Sequence, residues 1–117
     1  MRLVTPNQFI RRQALSDIAL GEHTIRAGDA VLLILAAANR DPEAFADPDQ
    51  FEFNRPQTVA LGHGIHYCLG APLARLEGRV ALQTVFERWP AIRQSGDLVY
   101  ANNFNIRLLR SLPVATS

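Results

Sequence analysis

The chain has 117 residues, 48% of them apolar, and a formal net charge of +1, which suits one small globular region and excludes a disordered one. Its 12 cationic residues are all arginine and are scattered rather than clustered, so no basic excess points to nucleic acid. A single cysteine excludes an internal disulfide and fits a reduced, cytoplasmic setting; no secretory signal is visible, and the longest apolar run, AVLLILAAA at 30–38, is too short for a bilayer.

Residues 7–35 read as strands. NQFIRRQAL at 7–15 is extended, DIALGEHTIRAGD at 17–29 predicts a hairpin around Gly21-Glu22, and AVLLIL at 30–35 predicts a buried strand. Residues 39–60 form an irregular segment. Its stretch 39–56 holds three prolines and five acidic residues, with one helical turn expected at Pro42–Phe45 and Phe45, Phe51 and Phe53 pinning the coil. Asn39-Arg40-Asp41 is expected to cap a turn by local hydrogen bonds.

A glycine-rich loop with the one cysteine covers 61–70. A helix then runs over 70–89, with Pro72 in its first turn and Pro90 stopping it. LVYANNFNIRLLRSLPV at 98–114 predicts a two-stranded ribbon turning at Asn102-Asn103. The class is therefore α+β, with a small mixed sheet and hairpins, an irregular segment, a cysteine loop and one long helix, organised as a single region.

The helix is apolar on two sides. Leu69, Leu73, Leu76 and Val80 form one stripe, and Ala74, Ala81, Leu82, Val85, Phe86 and Trp89 form a wider one. Arg75, Arg79, Gln83 and Glu87 make the polar line between them. No other long helix is predicted to cover these faces, and the small sheet can cover only one. Self-association, or packing against a portion of protein outside these residues, is expected.

ALGHGIHYCLGAPLAR at 60–75 sets Cys68 before that helix entrance. Unpaired N–H groups and the macrodipole there favour a thiolate. Glycines at 62, 64 and 70 allow positive φ and let a flat group approach the backbone. Several chemistries use such a thiol: a nucleophile paired with His66, a zinc ligand beside His63 and His66, or an axial ligand to haem iron. A buried, inert thiol is the plain alternative.

LGHGIHYCLGAPLAR resembles the haem-ligand loop of the cytochrome P-450 monooxygenases, bacterial type. Against the pattern Phe-x-x-Gly-x-x-x-Cys-x-Gly, Gly64, Cys68 and Gly70 match, and Leu61 stands where the family prefers Phe. AAANRDPEAFADPDQF and LARLEGRVAL resemble the flanking segments. The likeness covers essentially all of this chain and only the last third or less of the family's usual length, which implies a truncated C-terminal portion of a mostly helical fold.

The resemblance implies haem b bound through the Cys68 thiolate, with His66 and Arg12 on its propionates and Leu61, Gly64 and Gly70 shaping the cofactor loop. It implies an electron-donating ferredoxin or flavoprotein at Arg75 and Arg79, and insertion of oxygen into an apolar organic substrate, with no nucleic-acid or membrane partner. It places Arg2 at the end of the family's Glu-x-x-Arg motif. The cation that normally completes that network is replaced, in Pro48-Asp49-Gln50-Phe51, by Gln50, so Arg2 is expected to lack its anchors. The rival reading is a haem-free, non-catalytic interaction or assembly module.

Overall fold

The computed structural model describes residues 1–55 and 58–117; the last stretch of the expected irregular segment, at Pro56 and Gln57, lies outside the described residues. The chain divides into two compact units, residues 1–60 with 104–106, and residues 61–103 with 107–117.

In the first unit, β1 (Ile10–Gln13) pairs antiparallel with β4 (Ala30–Leu33), Arg12 opposite Val31. Between them β2 (Ile18–Leu20) and β3 (His23–Ile25) close the expected hairpin, with Leu20 opposite His23. Gly21 takes φ +57°, the value a two-residue turn of the primed kind demands at its first central position. Asp17 ties the base of the hairpin: its carboxylate accepts from the Ala27 N–H at 2.9 Å and from Arg26 Nη1 at 2.7 Å.

The strand expected over 30–35 ends at Leu33, and Leu35 opens the short helix α1 (Leu35–Ala38). It is also not a buried strand. Leu32, Leu33 and Ile34 are exposed, because a two-stranded ribbon buries an apolar face only where a second layer packs on it. The core of this unit gathers instead around Ala14, Leu35, Phe45 and Ala60, with the buried polar residues Arg2, Thr5 and Asn39.

The irregular segment is irregular as expected over its described residues. Its helical turn is present: the Phe45 N–H donates to the Asp41 carbonyl at 2.9 Å. Phe45 is buried, but Phe51 and Phe53 are exposed and stack edge to face on each other at 5.0 Å, so one aromatic side chain pins the coil rather than three.

In the second unit a 3₁₀ turn at Gly64–His66 leads into the long helix α2 (Ala71–Arg88). Gly70 caps α2, Pro72 lies in its first turn, and Pro90 follows the cap residue Trp89, so the punctuation expected from the prolines is observed. Beyond it, β5 (Arg93–Gln94) pairs with β8 (Val114–Ala115), and β6 (Val99–Tyr100) pairs with β7 (Leu109–Ser111).

The ribbon expected at 98–114 is therefore β6 and β7, and β8 leaves it to pair with β5. Its turn is wider than Asn102-Asn103, because the Ala101 N–H donates to the Leu108 carbonyl at 2.9 Å across the whole intervening stretch. Among the described residues the four ladders are two-stranded and antiparallel. The α+β class holds: one long helix with several small sheets.

Candidate functional site

The cysteine loop is closed by its main chain. The Cys68 N–H donates to the Leu61 carbonyl at 2.8 Å, the Tyr67 N–H to the Gly64 carbonyl at 3.0 Å, and the Ala71 N–H to the Cys68 carbonyl at 3.1 Å. These bonds carry the path from the loop into α2 without a side-chain cap, and Gly70 caps the helix with none.

Two glycines make that path possible. Gly62 has φ +78°, and a Cβ there would meet the His66 carbonyl oxygen at 2.7 Å, so both conformation and space exclude a side chain. Gly64 has φ +58° with open space beside it. At Gly70 a Cβ would sit in ordinary contact, 3.9 Å, with the Cys68 sulfur. Of the three glycines expected to allow positive φ, Gly62 and Gly64 adopt it and Gly70 does not.

The Cys68 thiol is exposed, which excludes the inert buried alternative. Its sequence neighbours Ile65 and Leu69 are each 98% exposed, and Tyr67 is exposed as well. An accessible sulfur on a loop held by main-chain hydrogen bonds, among exposed apolar side chains, fits a large flat apolar group with a metal at its centre. It does not fit zinc. Among the described residues no three His, Cys, Asp or Glu side chains gather as a metal site, so His63, His66 and Cys68 do not form one.

The remaining candidate residues are placed as follows. His66 is exposed and ends the 3₁₀ turn. Arg12 is half-buried on β1, in the first unit, and its guanidinium donates to the Arg11 carbonyl at 2.9 Å. Arg75 and Arg79 stand one turn apart on α2, both exposed.

Of the expectations about the residues before the loop, one is overturned and one is met only in part. Arg2 does not lack anchors. Its guanidinium donates to the carbonyls of Asn39 at 2.8 Å, Gln50 at 2.8 Å and Pro48, and lies over the Phe45 ring at 5.1 Å. Main-chain oxygens satisfy this cation, so the identity of the side chain at Gln50 does not decide whether it is held. Asn39 does cap locally, its N–H donating to the Leu35 carbonyl at 3.0 Å as the C-cap of α1, and the Asp41 carboxylate accepts from the Glu43 N–H at 2.9 Å. Its side chain, however, reaches beyond the turn to Thr5, Thr58 and the Val59 N–H.

A family model described as Cytochrome P450 matches residues 1–99. The chain belongs to the cytochrome P450 family. It is 44% identical over 108 residues to the cytochrome P450 monooxygenase PikC of Streptomyces venezuelae, a match covering 88% of this chain and 26% of PikC. It is 41% identical over 117 residues to the biotin biosynthesis cytochrome P450 of Bacillus subtilis, covering 97% of this chain and 30% of that protein. The crystal structure of P450BioI in complex with a hexadec-9Z-enoic acid ligated acyl carrier protein superposes with a TM-score of 0.93 at 41% identity, over 99% of this chain and 31% of that one.

The chain thus spans between a quarter and a third of these P450 proteins. Cytochromes P450 hold haem through a cysteine thiolate. No helix among the described residues is long and apolar enough to cross a membrane.

Proposed function

We propose that this chain is the haem-ligand portion of a cytochrome P450 monooxygenase, in which the Cys68 thiolate would hold the iron. The observation that carries the reading is the exposed Cys68 sulfur in a loop closed by its own main chain at the entrance of α2. Haem held there by the Cys68 thiolate would supply oxygen activation.

The chain's own residues bind and orient. Leu61, through its carbonyl, holds the Cys68 N–H, while Gly62, Gly64 and Gly70 keep the backbone clear for the macrocycle. His66 and Arg12 would be the residues to donate charge-assisted hydrogen bonds to its propionates. Arg75 and Arg79 present cations to an acidic face on a ferredoxin or flavoprotein. Oxygen insertion into an apolar organic substrate belongs to the whole enzyme, and this chain alone turns over no substrate.

Haem reconstitution of the purified chain tests the reading. The ferrous carbon-monoxide adduct should show the red-shifted Soret band of thiolate ligation, and Cys68→Ala should lose it. A wild-type chain that fails to take haem, or a Cys68→Ala chain with the same band, overturns the assignment.

The exposed apolar stripes of α2 favour a second reading, a haem-free assembly module. A chain that takes no haem yet forms a defined oligomer supports it.

A further inference from the structure

Asn39 follows α1, is fully buried, and engages each of its polar groups. Its Nδ2 donates to Thr5 Oγ1 at 2.9 Å, and its carbonyl accepts from Arg2 at 2.8 Å. Its own N–H donates to the Leu35 carbonyl at 3.0 Å. Its Oδ1 accepts twice, from the Thr58 hydroxyl at 2.8 Å and from the Val59 N–H at 3.0 Å. Thr58 Oγ1 in turn accepts from the Ala60 N–H at 3.1 Å. One carboxamide oxygen therefore holds Thr58 and Val59 directly, and Ala60 through Thr58.

The next residue is Leu61, whose carbonyl closes the cysteine loop on the Cys68 N–H. Only a side chain that donates and accepts at once can serve Thr5 on one side and Thr58 with Val59 on the other. We propose that Asn39 is a positioning residue for the cysteine loop: through its Oδ1 it sets the path of residues 58–60, and so the direction in which Leu61 offers its carbonyl to Cys68. Its consequence for haem rests on the function proposed above; the geometric claim does not.

The two arms of Asn39 are separable. Thr58→Val removes part of the acceptor arm, Thr5→Val removes the donor arm's partner, and Asn39→Asp keeps the acceptor oxygen while losing the donor. Amide hydrogen exchange of the purified chain, normalised to the β1–β4 ladder, reads local opening of 61–68 separately from overall stability.

Thr58→Val should raise exchange across 61–68 by about tenfold, whereas Thr5→Val and Asn39→Asp should leave it within about twofold, as expected for a local opening. Equal acceleration in Thr58→Val and Thr5→Val indicates a purely structural role and overturns the proposal. So does an unprotected loop in the wild-type chain. Haem titration of the same samples is the independent control: a wild-type chain that takes no haem refutes the proposed function and leaves the exchange comparison standing.

Discussion

The guanidinium of Arg2 donates to the main-chain carbonyl of Asn39 at 2.8 Å, and both residues are buried. With the Pro48 and Gln50 carbonyls and the Phe45 ring, this bond wraps one cation in the irregular segment. A planar fork of donors matches three fixed oxygens; a single ammonium does not. Arg2→Ala should therefore cost at least about 1.5–3 kcal/mol, the range for a hydrogen bond to a charged group, and Arg2→Lys should recover only part of it. Urea unfolding measures both, and an Arg2→Ala midpoint equal to wild type contradicts the account.

Gly62 and Gly64 separate space from conformation. Each has positive φ, so alanine costs roughly 1–2 kcal/mol at either through strain alone. At Gly62 the new Cβ also meets the His66 carbonyl at 2.7 Å, while at Gly64 it meets nothing. Gly62→Ala should therefore disrupt the loop and abolish haem uptake, with Gly64→Ala milder. Limited proteolysis and haem titration rank them; the reverse order would count against the geometry.

Asp17 predicts an acid-sensitive hairpin. Its carboxyl is held below the ordinary value of 3.8, first by the Ala27 N–H and then by Arg26. A lowered folded-state pKa contributes stability above the unfolded value, and that contribution is lost as pH falls through the lower folded one. Between neutral pH and about pH 5 Asp17 should make stability no more pH-dependent, and below pH 3.8 its contribution should fade. Asp17→Asn should remove that acid-dependent part; hairpin chemical shifts followed by NMR from pH 6 to pH 2 test this, and identical acid profiles would reject it.

Association through α2 is the fourth expectation. The sequence reading left at least one of its two apolar faces uncovered, and side chains on both are exposed. Leu73 is 58% exposed on one, and Leu82 and Phe86 are 60% and 56% exposed on the other. Full burial of such a side chain is worth about 1.5–3 kcal/mol, and contiguous exposed apolar side chains mark interaction surfaces. Sedimentation at micromolar concentration should show self-association that Leu82→Gln with Phe86→Gln weakens. A sharp monomeric boundary without dye-binding apolar surface would end this argument.

Where glycine and proline punctuate the chain, the sequence was readable. Gly70, Pro72 and Pro90 bracket α2 to within a residue, and Gly21 marks the hairpin. β5 is two residues long, Arg93 and Gln94, and carries no period to detect. The extent of β4 was misjudged because an apolar run does not say where a strand yields to a helix, as it does at Leu35.

The cysteine loop was legible because its motif fixes residue types at fixed spacing. The Asn39 network was not. Its partners Thr5 and Thr58 lie 34 and 19 residues away, and a buried hydrogen bond leaves no periodicity behind. For Arg2 the expectation considered side-chain partners only, whereas carbonyls, which every residue owns, are the acceptors used.

The bond from the Cys68 amide to the Leu61 carbonyl involves no side chain. The outward positions Ile65, Tyr67 and Leu69 can therefore be exchanged while the sulfur keeps its seat, and Leu61 can replace an aromatic at the loop's first position. A library randomised at these four residues would sample polarity and bulk around one thiol whose main-chain seat stays the same.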